Sequence, residues 1–178
     1  MDHGKLAKEY FMKGYNCSQA VLLAFSDKTG LDEKTAAKLA SSFGGGMGRM
    51  REVCGAFSGM LLVFGMLHGY VATDETAKND KKVQYERVQE LAKRFREEFG
   101  SIICRELLTG SAAKQISAGE RADNEQISAM LSDSAVPTER TESYYKKRPC
   151  PELVEEGARI LESYLEALER NSNPSKNM

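Results

Sequence analysis

Residues 53–72 read VCGAFSGMLLVFGMLHGYVA and contain no Asp, Glu, Lys or Arg. The run is long enough to cross a bilayer, since a membrane-spanning helix needs about 20 predominantly apolar residues. A helix that is apolar on all sides is also expected at the centre of a helical bundle. Because the run lies among amphipathic segments that need an apolar surface to pack against, we favour the centre of a bundle and expect no membrane span.

The segments on both sides of this run have helical periodicity, and strands are hard to find. Asn16 and Asp32 are suitable N-caps for two helices that precede the run. Residues 85–99 carry apolar side chains three and four positions apart, which is typical of an amphipathic helix, and Pro151 opens a last helix with one apolar face. We therefore predict an all-α fold, an irregular helical bundle of about six to eight helices around a buried central apolar helix.

The length of 178 residues fits a single helical domain, 1–178. Residues 109–143 are rich in Ser, Ala, Asp, Glu and Thr, which predicts a polar surface excursion with one helix at about 124–131. The tail from residue 171 is polar and is expected to fray. Near the other end of the chain, His3 is expected to be disordered.

Charge and termini argue against several classes of function. Lys and Arg total 25 against 26 Asp and Glu, for a net charge of −1, whereas a nucleic-acid-binding protein would carry a basic patch. The near-zero net charge gives little repulsion between copies, so a homodimer is one expectation. The first residues lack the basic start and apolar core of a secretory signal, so we expect a cytoplasmic protein with reduced thiols.

The cysteines are the best candidates for chemistry, although they are far apart and form no C-x-x-C pair or zinc knuckle. Each lies in or beside the first turn of a predicted helix: Cys17, Cys54, Cys104 and Cys150. For Cys104 the predicted cap is Ser101. Free N–H groups and the positive end of the helix dipole stabilise a thiolate there and lower the thiol pKa. Since a thiolate attacks disulfides and binds metals, this placement favours a reactive site.

Three interpretations of the cysteines stay open. In the leading one they are the catalytic residues of a cytoplasmic thiol–disulfide oxidoreductase, with Cys54 as the attacking thiolate and another cysteine resolving the disulfide. This chemistry needs a redox partner protein or a small thiol or disulfide, and no cofactor. In the second, zinc or an iron–sulfur cluster is held by Cys17, Cys54, Cys104 and Cys150. In the third, the chain is a non-catalytic helical scaffold that assembles through the small residues of the central run.

The loop ahead of the central run reads GGGMGR at 44–49. Its glycines permit positive φ, and its amides can form an anion-binding nest. The candidate cofactor-binding residues are therefore Gly44, Gly45, Gly46, Gly48 and Arg49. No Gly-Lys-Ser or Gly-Lys-Thr follows, so this is not a P-loop, and a tight turn between helices explains the glycines better than a phosphate site. Arg49 and Arg51 precede Cys54 and are expected to favour its thiolate.

The order of these features resembles the C_GCAxxG_C_C family, whose members are described as redox-active. The resemblance is carried by Cys17, the run FGGGMG at 43–48, the run CGAFSG at 54–59 and two further single cysteines, and it covers about 16–168. It implies that the four cysteines are the redox residues. The sequence VCGA at 53–56 differs from the literal glycine-cysteine-alanine of the family label, and the polar excursion is long for the gap between the last two cysteines.

Overall fold

The computed structural model describes residues 1–71, 73, 77–110, 128, 131 and 134–172. The regular secondary structure of these residues is helical, and their one β-type contact is an isolated antiparallel bridge between Val53 and Ile103. The prediction of an all-α fold is confirmed. The helices are α1 (His3–Met12), α2 (Cys17–Ala24), α3 (Ser26–Thr29), α4 (Glu33–Ala40), α5 (Gly55–His68), α6 (Ala77–Phe99), α7 (Cys104–Thr109), α8 (Glu142–Lys147) and α9 (Cys150–Ser172). A 3-10 turn, Ser41–Phe43, and an irregular helical turn, Gly44–Met47, lie between α4 and α5.

Helix α5 forms within the uncharged run and packs closely on α2. A Cβ on Gly59 would lie 2.8 Å from the Cβ of Val21, so glycine allows the two backbones to approach. The first turns of α5 are buried, whereas Met66 in its last turn is 49% exposed, so α5 is buried over part of its length. In the described part of the chain, no helix combines the length and apolarity needed to cross a membrane.

The predicted N-caps are confirmed. The Asn16 side chain accepts a hydrogen bond from the Gln19 amide, and the Gln19 side chain accepts one from the Asn16 amide, which together form a capping box at the start of α2. The Asp32 side chain accepts from the Thr35 amide at the start of α4. Local polar residues therefore determine where these helices begin. At α2 the cap also places Cys17 as the first residue of the helix.

The expectation that His3 is disordered is wrong. Its ring is 3% exposed and stacks on Phe25 with 4.3 Å between ring centroids. Nδ1 lies 2.5 Å from Oε1 of Glu162, and Nε2 lies 3.1 Å from Oδ1 of Asp27. An aromatic partner and two carboxylates thus hold the first residue of α1 against α9, where α1 makes extensive contact.

The predicted start of α7 needs correction. Ser101 does not cap this helix: its hydroxyl accepts a hydrogen bond from the Ile103 amide, and the helix begins at Cys104. At the C-terminus, α9 continues to Ser172, past the point where fraying was predicted, and residues 173–178 lie outside the described residues. Most of the polar excursion also lies outside them, including all of the helix predicted at about 124–131 except residues 128 and 131, which are helical; the described end of the excursion leads into α8.

Candidate functional site

The four cysteines occupy equivalent positions at the starts of four helices. Cys17, Cys104 and Cys150 are the first residues of α2, α7 and α9, and Cys54 is the N-cap residue of α5. All four line one cavity of about 290 Å³. None of them forms a disulfide; Cys17 is partly buried, and the other three are buried. The fold thus gathers thiols that are far apart in the sequence.

The isolated bridge described above places Cys54 beside Cys104. The Cys54 amide donates a hydrogen bond to the Ile102 carbonyl oxygen over 2.8 Å, and the Cys104 amide donates to the Glu52 carbonyl oxygen over 2.6 Å. The two segments therefore run side by side for a few residues before their helices diverge. This short pairing delays the start of α7 and fixes two of the four thiols relative to each other.

Glycines let the other segments approach the cavity. A Cβ on Gly46 would lie 2.6 Å from the Cβ of Cys104, and one on Gly55 would lie 3.0 Å from the Cβ of Cys17. A larger residue at either position would push a cysteine-bearing helix away. The cavity lining also includes every residue that we predicted to bind a cofactor: Gly44, Gly45, Gly46, Gly48 and Arg49. Their role toward a ligand stays a prediction.

The loop at 44–51 has an unusual backbone. Besides three of its four glycines, the residues Met47, Arg49 and Arg51 have positive φ values of 60°, 71° and 60°. A residue with a Cβ occupies this left-handed region at a cost of roughly 1–2 kcal/mol. Both arginines of the loop line the cavity, but their surroundings differ: Arg49 Nε donates to the Ser134 carbonyl oxygen over 2.7 Å, whereas Arg51 is 4% exposed.

Cys150 has the surroundings of a thiolate. A hydrogen bond from the Cys17 thiol lowers the pKa of Cys150 to about 7 against the opposing effect of burial, and the charges of Arg148, Arg140 and Arg51 lower it further. The same hydrogen bond, together with burial, raises the pKa of Cys17 well above its ordinary value. Of the two thiols, Cys150 is therefore the one that ionises as the pH rises through neutrality, whereas Cys17 keeps its proton.

The other two thiols stay protonated. Burial, followed by the proximity of Cys104 and Cys150, raises the pKa of Cys54 to about 12. Burial raises the pKa of Cys104 to about 11, and Arg51 opposes this rise. The effect of Arg51 thus falls on Cys104 and Cys150, and the expectation that Cys54 is the attacking thiolate receives no support from its surroundings.

Three residues that sequence analysis missed complete one wall of the cavity: Arg140, Tyr144 and Arg148. The Arg148 guanidinium lies 4.5 Å from the centre of the Tyr144 ring, and the Arg140 guanidinium lies 5.5 Å from it. Burial and the nearby sulfurs of Cys150 and Cys17 raise the pKa of Tyr144 to about 12, so its hydroxyl keeps its proton. Of the three, only Arg148 could have been connected with the site from the sequence, because it lies two residues before Cys150.

Metal binding was the second interpretation of the four cysteines. Within the described ranges, no group of three or more His, Cys, Asp or Glu side chains is arranged to hold one metal ion. A structural zinc site needs four ligands that converge on one ion. The described sulfurs line a common cavity without meeting that requirement, so the geometry does not support a zinc site, and an iron–sulfur cluster, whose cysteines bind separate iron atoms, stays an alternative.

Comparison with known families agrees with this thiol site. The sequence model of a family described as "Putative redox-active protein (C_GCAxxG_C_C)" matches residues 15–164. The chain belongs to the C_GCAxxG_C_C family. The matched range includes all four cysteines and the glycine loop, so the resemblance noted from the sequence is confirmed. No curated protein and no solved structure matches the chain.

Proposed function

We propose that this member of the C_GCAxxG_C_C family is a thiol–disulfide redox protein in which Cys150 attacks and Cys17 resolves. The observation that carries the proposal is that Cys17 and Cys150 begin two helices at one arginine-lined cavity, where their interaction lowers the pKa of Cys150 and raises that of Cys17. A thiol with a pKa close to the ambient pH is the best attacking group, because it is both ionised and still nucleophilic. Cys150 meets that condition, and its partner is already in contact.

The reaction consumes a small disulfide or a disulfide on a partner protein. The Cys150 thiolate attacks one sulfur of that disulfide, forms a mixed disulfide and releases the other half as a thiolate. Cys17 then loses its proton, attacks the Cys150 sulfur and releases the second half, which takes up a proton. Two electrons pass from the protein to the substrate, and the protein ends with a Cys17–Cys150 disulfide. A dithiol reductant reverses the sequence.

Cys54 and Cys104 remain redox residues in this proposal because they line the same cavity. Their raised pKa values make them poor first attackers. We assign them to a second exchange, in which one of them attacks the Cys17–Cys150 disulfide and the other completes a new disulfide between them. Such a cycle needs a reducing compartment such as the cytoplasm, which is where we place the protein.

Cysteine mapping by mass spectrometry tests the proposal. After brief treatment with a small disulfide, we expect a Cys17–Cys150 disulfide that dithiothreitol removes. Cys17→Ser should instead accumulate the mixed disulfide on Cys150, because its resolving thiol is missing. Cys150→Ser should form neither product. Absence of any reversible disulfide, with all thiols slow toward alkylation, would contradict the proposal, and bound iron or zinc in anaerobically purified protein would favour the metal interpretation instead.

A further inference from the structure

Arg51 brings a positive charge into the interior with incomplete pairing. Its Nη1 donates to the Gly45 carbonyl oxygen over 3.3 Å, whereas Nε and Nη2 are buried and form no well-aligned hydrogen bond among the described residues, although the Arg51 side chain lies within reach of the Cys104 thiol. A guanidinium stays charged at any working pH, and buried charges are normally paired. Nε and Nη2 form one edge of the guanidinium, which is the pair of donors that holds a carboxylate or phosphate through two parallel hydrogen bonds.

The lining of the cavity is positively charged. Among the described residues that form it there is no Asp or Glu, but there are Arg49, Arg51, Arg140 and Arg148. Glu52 follows Arg51 in the sequence, yet its carboxylate is half exposed and pairs with Arg105. A single thiolate at Cys150 does not balance these guanidinium groups. A cleft lined by one sign of charge concentrates ligands of the opposite sign.

We infer that the cavity binds small disulfides that carry a carboxylate or another oxyanion group, and that the unpaired edge of Arg51 recognises this group. A cavity of about 290 Å³ accommodates a small molecule. Arg51 lies near enough to Cys104 and Cys150 to act on both sulfurs, so an anion held by Arg51 lies beside the reacting thiols. That the ligand is a disulfide rests on the proposed function, whereas the anion site does not.

Iodoacetate and iodoacetamide test the anion site apart from redox chemistry, because they have similar size and differ in charge. The measured quantity is the rate constant for iodoacetate divided by that for iodoacetamide at Cys150, obtained by mass mapping. We expect this ratio to exceed the same ratio for a small free thiol by about tenfold. The pKa of Cys150 affects both reagents alike and cancels from the ratio. A ratio equal to that of the free thiol overturns the inference and leaves the proposed function intact.

Two arginine variants locate the effect. Arg51→Met should lower the ratio to that of the free thiol, whereas Arg105→Met should keep the wild-type ratio, because Arg105 is half exposed and lies outside the cavity lining. An unchanged ratio in Arg51→Met overturns the inference. Should that variant not fold, competition on the wild-type protein decides: acetate or inorganic phosphate should slow iodoacetate more than iodoacetamide, and the stronger competitor identifies the oxyanion class. Competition by neither anion overturns the inference.

A matched series of disulfides tests the substrate class. Dithiodipropionate, bis(hydroxyethyl) disulfide and cystamine share short arms that end in carboxylate, hydroxyl and ammonium groups. We expect wild-type protein to be oxidised fastest by the carboxylate and slowest by the ammonium compound, and Arg51→Met to lose this order. Equal rates for all three overturn the inference while the proposed function stands. Oxidation by none of them contradicts the proposed function, whatever the iodoacetate ratio shows.

Discussion

Cys17 and Cys150 line the same cavity, and the interaction between their side chains shifts the two thiol pKa values in opposite directions. The residues begin α2 and α9, which belong to opposite ends of the chain. A thiol that donates to a neighbouring sulfur stabilises the thiolate of its partner and retains its own proton. The asymmetry between nucleophile and resolving group is therefore built into the packing of these two helices.

The pH dependence of Cys150 alkylation should reveal this contact. Because the thiolate is the reactive form, the rate should rise with pH and reach half its plateau at about 7. Cys17→Ala removes the donor, so the pKa of Cys150 should rise toward the ordinary thiol value of about 8.5, and the rate at neutral pH should fall about tenfold. Cys17→Ser keeps a hydroxyl donor, so the alkylation rate of Cys150 at neutral pH should fall less in this variant. Identical profiles in all three proteins would show that the contact does not set the pKa.

Arg148 should tune the same thiol through its charge. Arg148→Met removes a positive charge that lowers the pKa of Cys150, so the midpoint of alkylation should move to higher pH. Added salt should produce a smaller shift in the same direction, since screening weakens interactions between partly exposed charges. The matched control is Arg105→Met, whose partner is Glu52. If both variants shift the midpoint equally, the change reflects net charge and not the proximity of Arg148.

Substitutions at Gly46 and Gly48 distinguish two reasons for glycine in the loop: a left-handed backbone and the close approach of a neighbouring side chain. Both have positive φ, but a Cβ on Gly46 meets the Cβ of Cys104 at 2.6 Å, whereas the nearest atom to a Cβ on Gly48 is 3.8 Å away. Gly48→Ala should cost about 1–2 kcal/mol in the free energy of unfolding from backbone strain alone. Gly46→Ala should cost more and should also change the alkylation of Cys104. Urea denaturation measures the first effect, and equal losses would mean that the close approach is unimportant.

Gly59 and Gly65 offer a matched pair on α5. A Cβ on Gly59 would lie 2.8 Å from the Cβ of Val21, so Gly59→Ala should separate α5 from α2 and destabilise the protein by about 1–3 kcal/mol. A Cβ on Gly65 has no neighbour within 4 Å among the described residues, so Gly65→Ala should stabilise the helix by about 0.5–1 kcal/mol. Thermal unfolding distinguishes the two signs. A loss of stability in both variants would contradict the packing described for α5.

Local sequence signals were enough to predict that Cys17 and Cys150 lie in the first turns of helices. Asn16 identifies the start of α2, and Pro151 identifies the first turn of α9, because both residues have strong preferences for helix N-termini. The alternation of apolar residues predicted the long helix α6. Such signals depend on residues within a few positions of each other, so a single sequence is enough to predict them.

The chemical differences among the cysteines could not be predicted in the same way. The pKa of Cys150 depends on Cys17 and on Arg51, which reach it only through the packing of distant helices. The inward direction of Arg51 follows from left-handed backbone at several loop residues. No sequence pattern predicts that non-glycine residues will adopt this conformation. A helix start looks the same at Cys54 as at Cys150 and both thiols are buried, but only Cys150 has Cys17 and nearby arginines to offset the effect of burial on its pKa.

Because Cys17 and Cys150 lie near opposite ends of the chain, the site forms only when the helices that carry them, α2 and α9, have packed together. A ribosome must finish most of the chain before α9 can reach α2, so until then Cys17 is an ordinary thiol and the arginine-lined wall is unformed. The same holds on denaturation, when each thiol returns to its intrinsic acidity. Fast labelling of Cys150 near neutral pH is therefore a reporter of intact tertiary structure, available without any added fluorophore.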